Sequence, residues 1–314
     1  MNTTQDCIGV DLSGATLRSA LIGADGAIKL RHEMPLQADV LTHLIAESVN
    51  SLCAQAGSSA NVAALGIGIP GLVNPQTQQV EISADHPSLV GRDLRAEISN
   101  LTSLPVTLAN DANAAAFAEY TSGAGAGSRS MFYALIGKGI GGALILDGKL
   151  WTGASGFAGE FGYIAIDAEG GVLESVASAP NIVRRTQERL FRDGTSSLSR
   201  LAMNPDFKAA DIAREAANGD DFALLMIERT GRYIGTAIAS VINLLNLDRI
   251  VLGGGIITEA GDLILAPITR EAAKRSFQPC FDATTIAAAA LGADAIPTGA
   301  AMLARDAVQT TRTG

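Results

Sequence analysis

Apolar residues come in short runs at the start of the chain and at helical spacing further on. Cys7 to Leu12 is a strand-like run, followed by the small-residue turn Ser13-Gly14-Ala15. A second run reaches Ile22, Asp25-Gly26 is a hairpin signal, and a third run starts at Ala27. This pattern predicts a three-strand meander. Leu41, Leu44, Ile45, Val49 and Leu52 repeat at helical spacing and predict a helix over 41–53. Val62 to Ile69 reads as a strand closed by Pro70-Gly71, Pro105 to Ala109 as another, and Ala112 to Tyr120 as an alanine-rich helix.

The meander then recurs. Met131 to Ile136 and Ile140 to Leu146 read as strands around the turn Gly137-Lys138-Gly139, with Asp147-Gly148 as the next hairpin turn. The repeated order suggests a duplicated α/β fold with a cleft between the halves, although two unrelated hairpins would look alike. Further on the chain reads as mostly helical. Asp221 to Leu245 is a long amphipathic stretch whose Gly231 and Gly235 suit close helix packing. Arg249 to Leu252 reads as a buried strand, Gly253-Gly254-Gly255 as a loop, and 259–276 as a helix. Ile286 to Leu291 and Pro297 to Ala307 supply a last strand and a last helix, and 122–128 is a small-residue loop suited to a hinge.

At 314 residues and 47% hydrophobic content the chain can build sizeable cores, and its length suggests two domains. Its net charge of −9 leaves no basic surplus for phosphate backbones, so nucleic acid is not an expected partner. The longest apolar segment, Tyr233 to Leu247, is shorter than the about 20 residues a bilayer span needs. No cationic stretch precedes the first apolar run, so no secretory leader and no membrane contact are expected. Cys7, Cys53 and Cys280 are far apart, which fits a reducing, cytoplasmic setting.

Several residues could carry chemistry. Asp11 ends a strand before a small-residue turn, where it is either a turn former or a carboxylate holding Mg²⁺ through water. Asn110-Asp111 closes a strand and opens a helix. It reads equally as an N-cap or as a carboxylate able to take a proton from a substrate hydroxyl. The turn from Gly137 to Gly142 is not a Walker A loop, yet its backbone N–H groups could cradle phosphate. Gly253-Gly254-Gly255 could admit a nucleotide base or simply start a helix. Glu160 and Glu174 lie on glycine-rich segments that suit a polyol, or are solvated surface acids. Trp151, nearby, is more in keeping with packing.

Taken in order, these segments resemble the ROK family of bacterial sugar kinases and their repressor relatives, over nearly the whole chain. The resemblance rests on 9–14, 66–71, 110–119, 139–150, 153–162, 250–255 and 299–301. It implies an actin-like (ribonuclease H-like), duplicated two-domain ATPase fold with a central cleft. One lobe would be 1–119 plus 295–314, the other 120–294. It implies ATP with Mg²⁺ and a sugar as ligands. Asp111 would be the catalytic base, and Gly71, Asp85, Asn110, Glu160, Tyr163 and Glu174 would face the sugar alongside it. Asp11 would hold Mg²⁺. Ser13, Gly14, Lys138, Gly139, Gly253, Gly254 and Gly255 would face the nucleotide. A homodimer is implied as well.

Some positions depart from the family pattern. Ser13-Gly14-Ala15 replaces the usual Gly-Gly-Thr and so lacks a threonine hydroxyl, while Lys138 stands where the second loop has threonine. Tyr163 replaces a zinc-binding histidine, and 167–171 has no cysteine where relatives keep a CxCGxxGC segment, so no zinc is expected. Two functions follow: an ATP-dependent kinase for a hexose or N-acetylhexosamine, or a catalytically weakened or inactive sugar- or nucleotide-binding relative. A repressor would need an N-terminal helix-turn-helix, and the first strand at about residue 7 leaves no room for one.

Overall fold

In chain order the elements begin with β1 (Asp6–Asp11), β2 (Thr16–Ile22), β3 (Ile28–Pro35), α1 (Leu41–Ala56), β4 (Val62–Ile69), β5 (Leu72–Asn74) and β6 (Gln79–Ile82). There follow α2 (Leu94–Thr102), β7 (Val106–Asn110), α3 (Asp111–Ser122), β8 (Met131–Ile136), β9 (Ile140–Leu146) and β10 (Lys149–Trp151). Then come the helices α4 (Glu174–Ala177), α5 (Ala179–Leu190), α6 (Leu198–Leu201), α7 (Ala209–Ala217) and α8 (Asp221–Leu245). The chain closes with β11 (Arg249–Gly253), α9 (Gly255–Ala260), α10 (Asp262–Arg275), α11 (Gln278–Asp282), β12 (Thr285–Ala288) and α12 (Ala295–Thr313). This computed structural model describes residues 5–57, 61–190 and 196–313.

The chain divides into two units. The first takes the described residues up to Gly127, then Lys149–Ala158, and those from Ala293 onward. Its sheet has the order β3-β2-β1-β4-β7. β1, β2 and β3 are antiparallel neighbours, while β1, β4 and β7 run parallel. Asp11 pairs with Gly68 and Ile69 with Asn110, so the carboxyl ends of β1, β4 and β7 share one edge.

Alternation along the strands builds two cores. Ile8, Val10, Leu65 and Ile67 pack with Leu44, Ile45 and Val49 of α1 and with Leu94 and Ile98 of α2. Cys7, Ala20 and Ala64 pack with Ala301 and Ala304 of α12. That second interface is made of small residues, and glycine makes it closer still. A Cβ on Gly9 would sit 1.7 Å from the Pro297 carbonyl oxygen, and one on Gly66 1.8 Å from that of Ala300. The last helix therefore rests its backbone on the central strands.

The second unit takes Ser128–Gly148 and the described residues from Gly159 to Gly292. Its strands run in the order β9-β8-β11-β12, with β8 and β9 antiparallel and β8, β11 and β12 parallel. This repeats β2-β1-β4-β7, so the recurrence read from the hairpin pattern is a recurrence of topology. At the Asp147-Gly148 turn both residues have positive φ, 48° and 78°, which is the conformation the pair favours. Helix α8 spans the predicted residues and packs on α10. A Cβ on Gly235 would lie 2.5 Å from the Ile268 carbonyl oxygen, so the expected close packing is met.

The structure differs from the pattern in several places. The helix expected over 259–276 is two helices, α9 and α10, broken at Gly261 with φ 51°. The last strand ends at Ala288, three residues before the expected Leu291. The β5–β6 hairpin and α2 have no clear hydrophobic period, because the strands are three and four residues long and α2 buries only Leu94 and Ile98. Among the described residues no helix is long and apolar enough to cross a membrane.

Candidate functional site

The carboxyl edge of the first sheet gathers the polar residues of that unit. Asp11 is the last residue of β1 and only 2% exposed. Its Oδ1 accepts the Ser13 N–H at 2.7 Å, and its Oδ2 lies 3.7 Å from Nη1 of Arg18, its register partner on β2. Burial pushes the Asp11 pKa up, against the opposing pull of Ser13 and Arg18. The Ser13-Gly14 turn stays open: a Cβ on Gly14 would meet nothing nearer than 3.8 Å.

Two strands away, β7 ends at Asn110 and α3 starts at Asp111. The Asn110 side chain does cap the helix, its Oδ1 accepting the Asn113 N–H at 2.9 Å. Its Nδ2 donates to the Gly71 carbonyl at 2.9 Å and to Asp111 Oδ1 at 3.1 Å. Asp111 Oδ1 also accepts the Ala112 N–H at 2.9 Å. Gly71 has φ 128°, and a Cβ there would fall 2.2 Å from the Ile82 carbonyl oxygen, so glycine is required for this turn. The capping and carboxylate readings of this dipeptide are thus compatible: Asn110 caps and orients, and Asp111 is held beside it.

Enclosure by protein pushes the Asp111 carboxyl up to about 7; the charges of Asp11 and Asp85 add to the rise, and the Ala112 N–H opposes it. The other two acids named for this unit, Asp11 and Asp85, thus both act on Asp111. The segment carrying Asp85 is fixed by His86, which the pattern did not single out. His86 is 4% exposed, and its Nε2 lies 2.8 Å from the Leu12 carbonyl oxygen. Its N–H donates to Ser83 Oγ, which in turn donates to the Pro70 carbonyl at 2.7 Å. A lone histidine in a polar loop carries no periodic signal, so only the fold reveals this strap. Arg18 was missed for a similar reason: it follows from strand register.

In the second unit the Gly137-Lys138-Gly139 turn joins β8 to β9 and is closed by a 2.9 Å bond from the Gly137 N–H to the Gly139 carbonyl. Lys138 is exposed at its tip. Glu174, at the start of α4, accepts the Ile140 N–H on Oε2 at 2.7 Å, so its carboxylate braces this turn. Glu160 is exposed, and partial burial together with the Glu174 charge raises its pKa. Tyr163 is 72% exposed. At the end of β11, Gly254 has φ 99°, and a Cβ there would lie 2.1 Å from the Ile136 carbonyl oxygen. A Cβ on Gly253 would lie 2.2 Å from the Tyr133 hydroxyl, so packing on β8 already requires both glycines. Gly255 differs, with nothing within 4 Å of a Cβ.

These residues fit a magnesium nucleotide. Asp11 is a hard oxygen donor beside an open turn, the environment in which Mg²⁺ binds through one carboxylate and phosphate oxygens. Among the described residues no three His, Cys, Asp or Glu side chains cluster so as to hold a metal ion by themselves.

Comparison with known proteins gives a consistent picture. The profile of the ROK family matches residues 7–307. The glucokinase of Halalkalibacterium halodurans is 33% identical over 309 residues, covering 92% of this chain and 91% of that protein. A ROK family glucokinase from Streptomyces griseus, solved in complex with glucose and AMPPNP, aligns with a TM-score of 0.82 and 27% identity. That alignment covers 96% of this chain and 99% of the other. A ROK family transcriptional regulator, a homologue of the E. coli MLC protein, aligns with a TM-score of 0.85 and 27% identity over 97% of this chain and 78% of its own. The actin-like sugar kinase fold is therefore the fold of this chain.

Proposed function

Because this chain belongs to the ROK family, we propose that it is an ATP-dependent sugar kinase acting on a hydroxyl of a hexose or N-acetylhexosamine. The observation that carries this reading is Asp111, a carboxyl pushed up to about 7 at the carboxyl edge of a sheet that also bears Asp11. A base with a pKa near the working pH is suited to general catalysis.

In this mechanism the Asp111 carboxylate takes the proton of the sugar hydroxyl. The hydroxyl oxygen forms a bond to the γ-phosphorus while the bond to the β-phosphate oxygen breaks, and ADP leaves with that electron pair. Asn110, held by the Gly71 carbonyl, orients Asp111, and Gly71, Asp85 and Asn110 are proposed as sugar-facing. Asp11 would hold Mg²⁺, and Ser13 and Gly14 are proposed as phosphate-facing. When bound, Mg²⁺ draws charge from the phosphate oxygens. Glu160, Tyr163 and Glu174 are proposed as sugar-facing residues of the second unit, Lys138 and Gly139 as phosphate-facing, and Gly253, Gly254 and Gly255 as adenosine-facing. We take the lobes to be 1–119 plus 295–314 and 120–294, and the enzyme to be a cytoplasmic homodimer without zinc.

The test is a coupled ADP-release assay over a panel of hexoses and N-acetylhexosamines, with metal analysis of the same preparation. Sugar-dependent ADP release without stoichiometric zinc is expected. Nucleotide binding with no turnover on any sugar would favour the second reading, a non-catalytic ROK relative. Ala15 supports that reading, since it offers no hydroxyl to the phosphates where the family pattern implies threonine.

A further inference from the structure

The chain is acidic overall, yet arginines converge on one cavity of the second unit. Helices α8 and α10 border a cavity of ≈ 440 Å³ into which Arg229, Arg232 and Arg275 project. Only one carboxylate lines it: Glu271 accepts from Arg275 Nε at 2.5 Å and lies 3.7 Å from Arg232 Nε. Three guanidiniums thus share one counter-charge in a protein whose net charge is −9. Tyr233 forms part of the wall, and behind it the carbon of the Arg185 guanidinium stands 4.9 Å from the ring centroid. Arg185 is 6% exposed, and its Nη2 has no hydrogen-bond partner among the described residues. Burial and the charges of Arg189, Arg229 and Arg184 pull its pKa down, against the opposing pull of Tyr233.

Such a cluster has a recognisable complement. Guanidinium forks match the oxygen geometry of phosphate and carboxylate, and a phosphate monoester brings up to two negative charges. The space is larger than a bare phosphate needs, and Ile166 and Leu225 give it an apolar side against which a carbon skeleton can rest. We propose that this cavity is a binding site for a small organic phosphate monoester. It shares no residue with the candidate kinase site, and it rests on the cavity's own side chains, not on the kinase reading.

Isothermal titration with glycerol 3-phosphate and glucose 6-phosphate tests it, with glycerol, glucose and sulfate as comparisons. The expected result is one equivalent of phosphate ester per chain, bound more weakly as salt rises, with neither unphosphorylated compound binding competitively. Arg229→Gln removes a cation, and Leu225→Glu adds a carboxylate at a position already 46% exposed. Each should weaken binding by about tenfold or more, while Asp11→Asn leaves it unchanged. Three results would overturn the proposal: no binding of either ester, binding indifferent to both cavity variants, or sulfate binding as tightly as the esters. Sedimentation adds a fourth. A dimer that dissociates in Leu225→Glu, with no ester bound by the parent protein, would assign the cavity to a second copy of the chain instead.

Discussion

The two units repeat one strand order and use its carboxyl edge differently. In the first, the edge carries acids: burial raises the pKa of both Asp11 and Asp111, and the Asp11 charge adds to the rise at Asp111. In the second, the matching edge carries backbone. Glycines line the turn after β8 and the end of β11, and Glu174, beside that turn, spends an oxygen on the Ile140 N–H. Topology brings strand ends to a common edge, and the residue at each end decides whether the edge carries a titrating group or glycine backbone.

Variants on each side can break that contrast. The largest effect is expected for Asp111→Asn, which keeps the acceptor for Ala112 and Asn110 but cannot take a proton; sugar-dependent turnover should fall by about 10²–10⁴-fold in steady-state assays. The next concerns the frame beneath the acids. Gly66→Val sets a side chain against the Ala300 carbonyl, so chemical denaturation should reveal a loss of about 3 kcal/mol. Asp111→Asn should also change stability, in the opposite sense. The folded carboxyl has its pKa raised to about 7 from 3.8, so the folded state binds more protons than the unfolded state across that window. Wild-type stability therefore falls as pH rises from about 4 to 7, and the neutral variant escapes the fall. Its melting temperature should exceed that of the wild type at pH 8, with the gap closing toward pH 4. The smallest effect belongs to the second edge. Glu174→Gln retains an acceptor for Ile140, so turnover should drop by less than about tenfold, the order of one net hydrogen bond. If Glu174→Gln were as damaging as Asp111→Asn, the contrast between the edges would be wrong.

Much of this was legible in the sequence. The Asp-Gly turns, the buried strands and the 25-residue α8 announce themselves through period and turn chemistry, and the repeated meander pointed to the duplicated topology. Asp111 was visible as a residue between strand and helix, but two readings stood side by side until the Asn110 cap and the acids acting on Asp111 were seen together. What the pattern could not carry was long-range. Arg18 reaches Asp11 through strand register, and His86 reaches Leu12 across 74 positions. Nor could it separate glycines with different reasons. Gly254 is glycine because Ile136 leaves no room, whereas Gly14 and Gly255 have open space in front of them.

The most direct test of the account is the pH dependence of kcat/KM for the sugar that turns over best, measured with ATP and Mg²⁺ well below saturation so that the free enzyme is reported. Asp111 acts as its carboxylate, so kcat/KM should reach a plateau above about 7 and fall about tenfold per pH unit below it. A profile flat from about pH 5.5 to 8 would contradict Asp111 as the base.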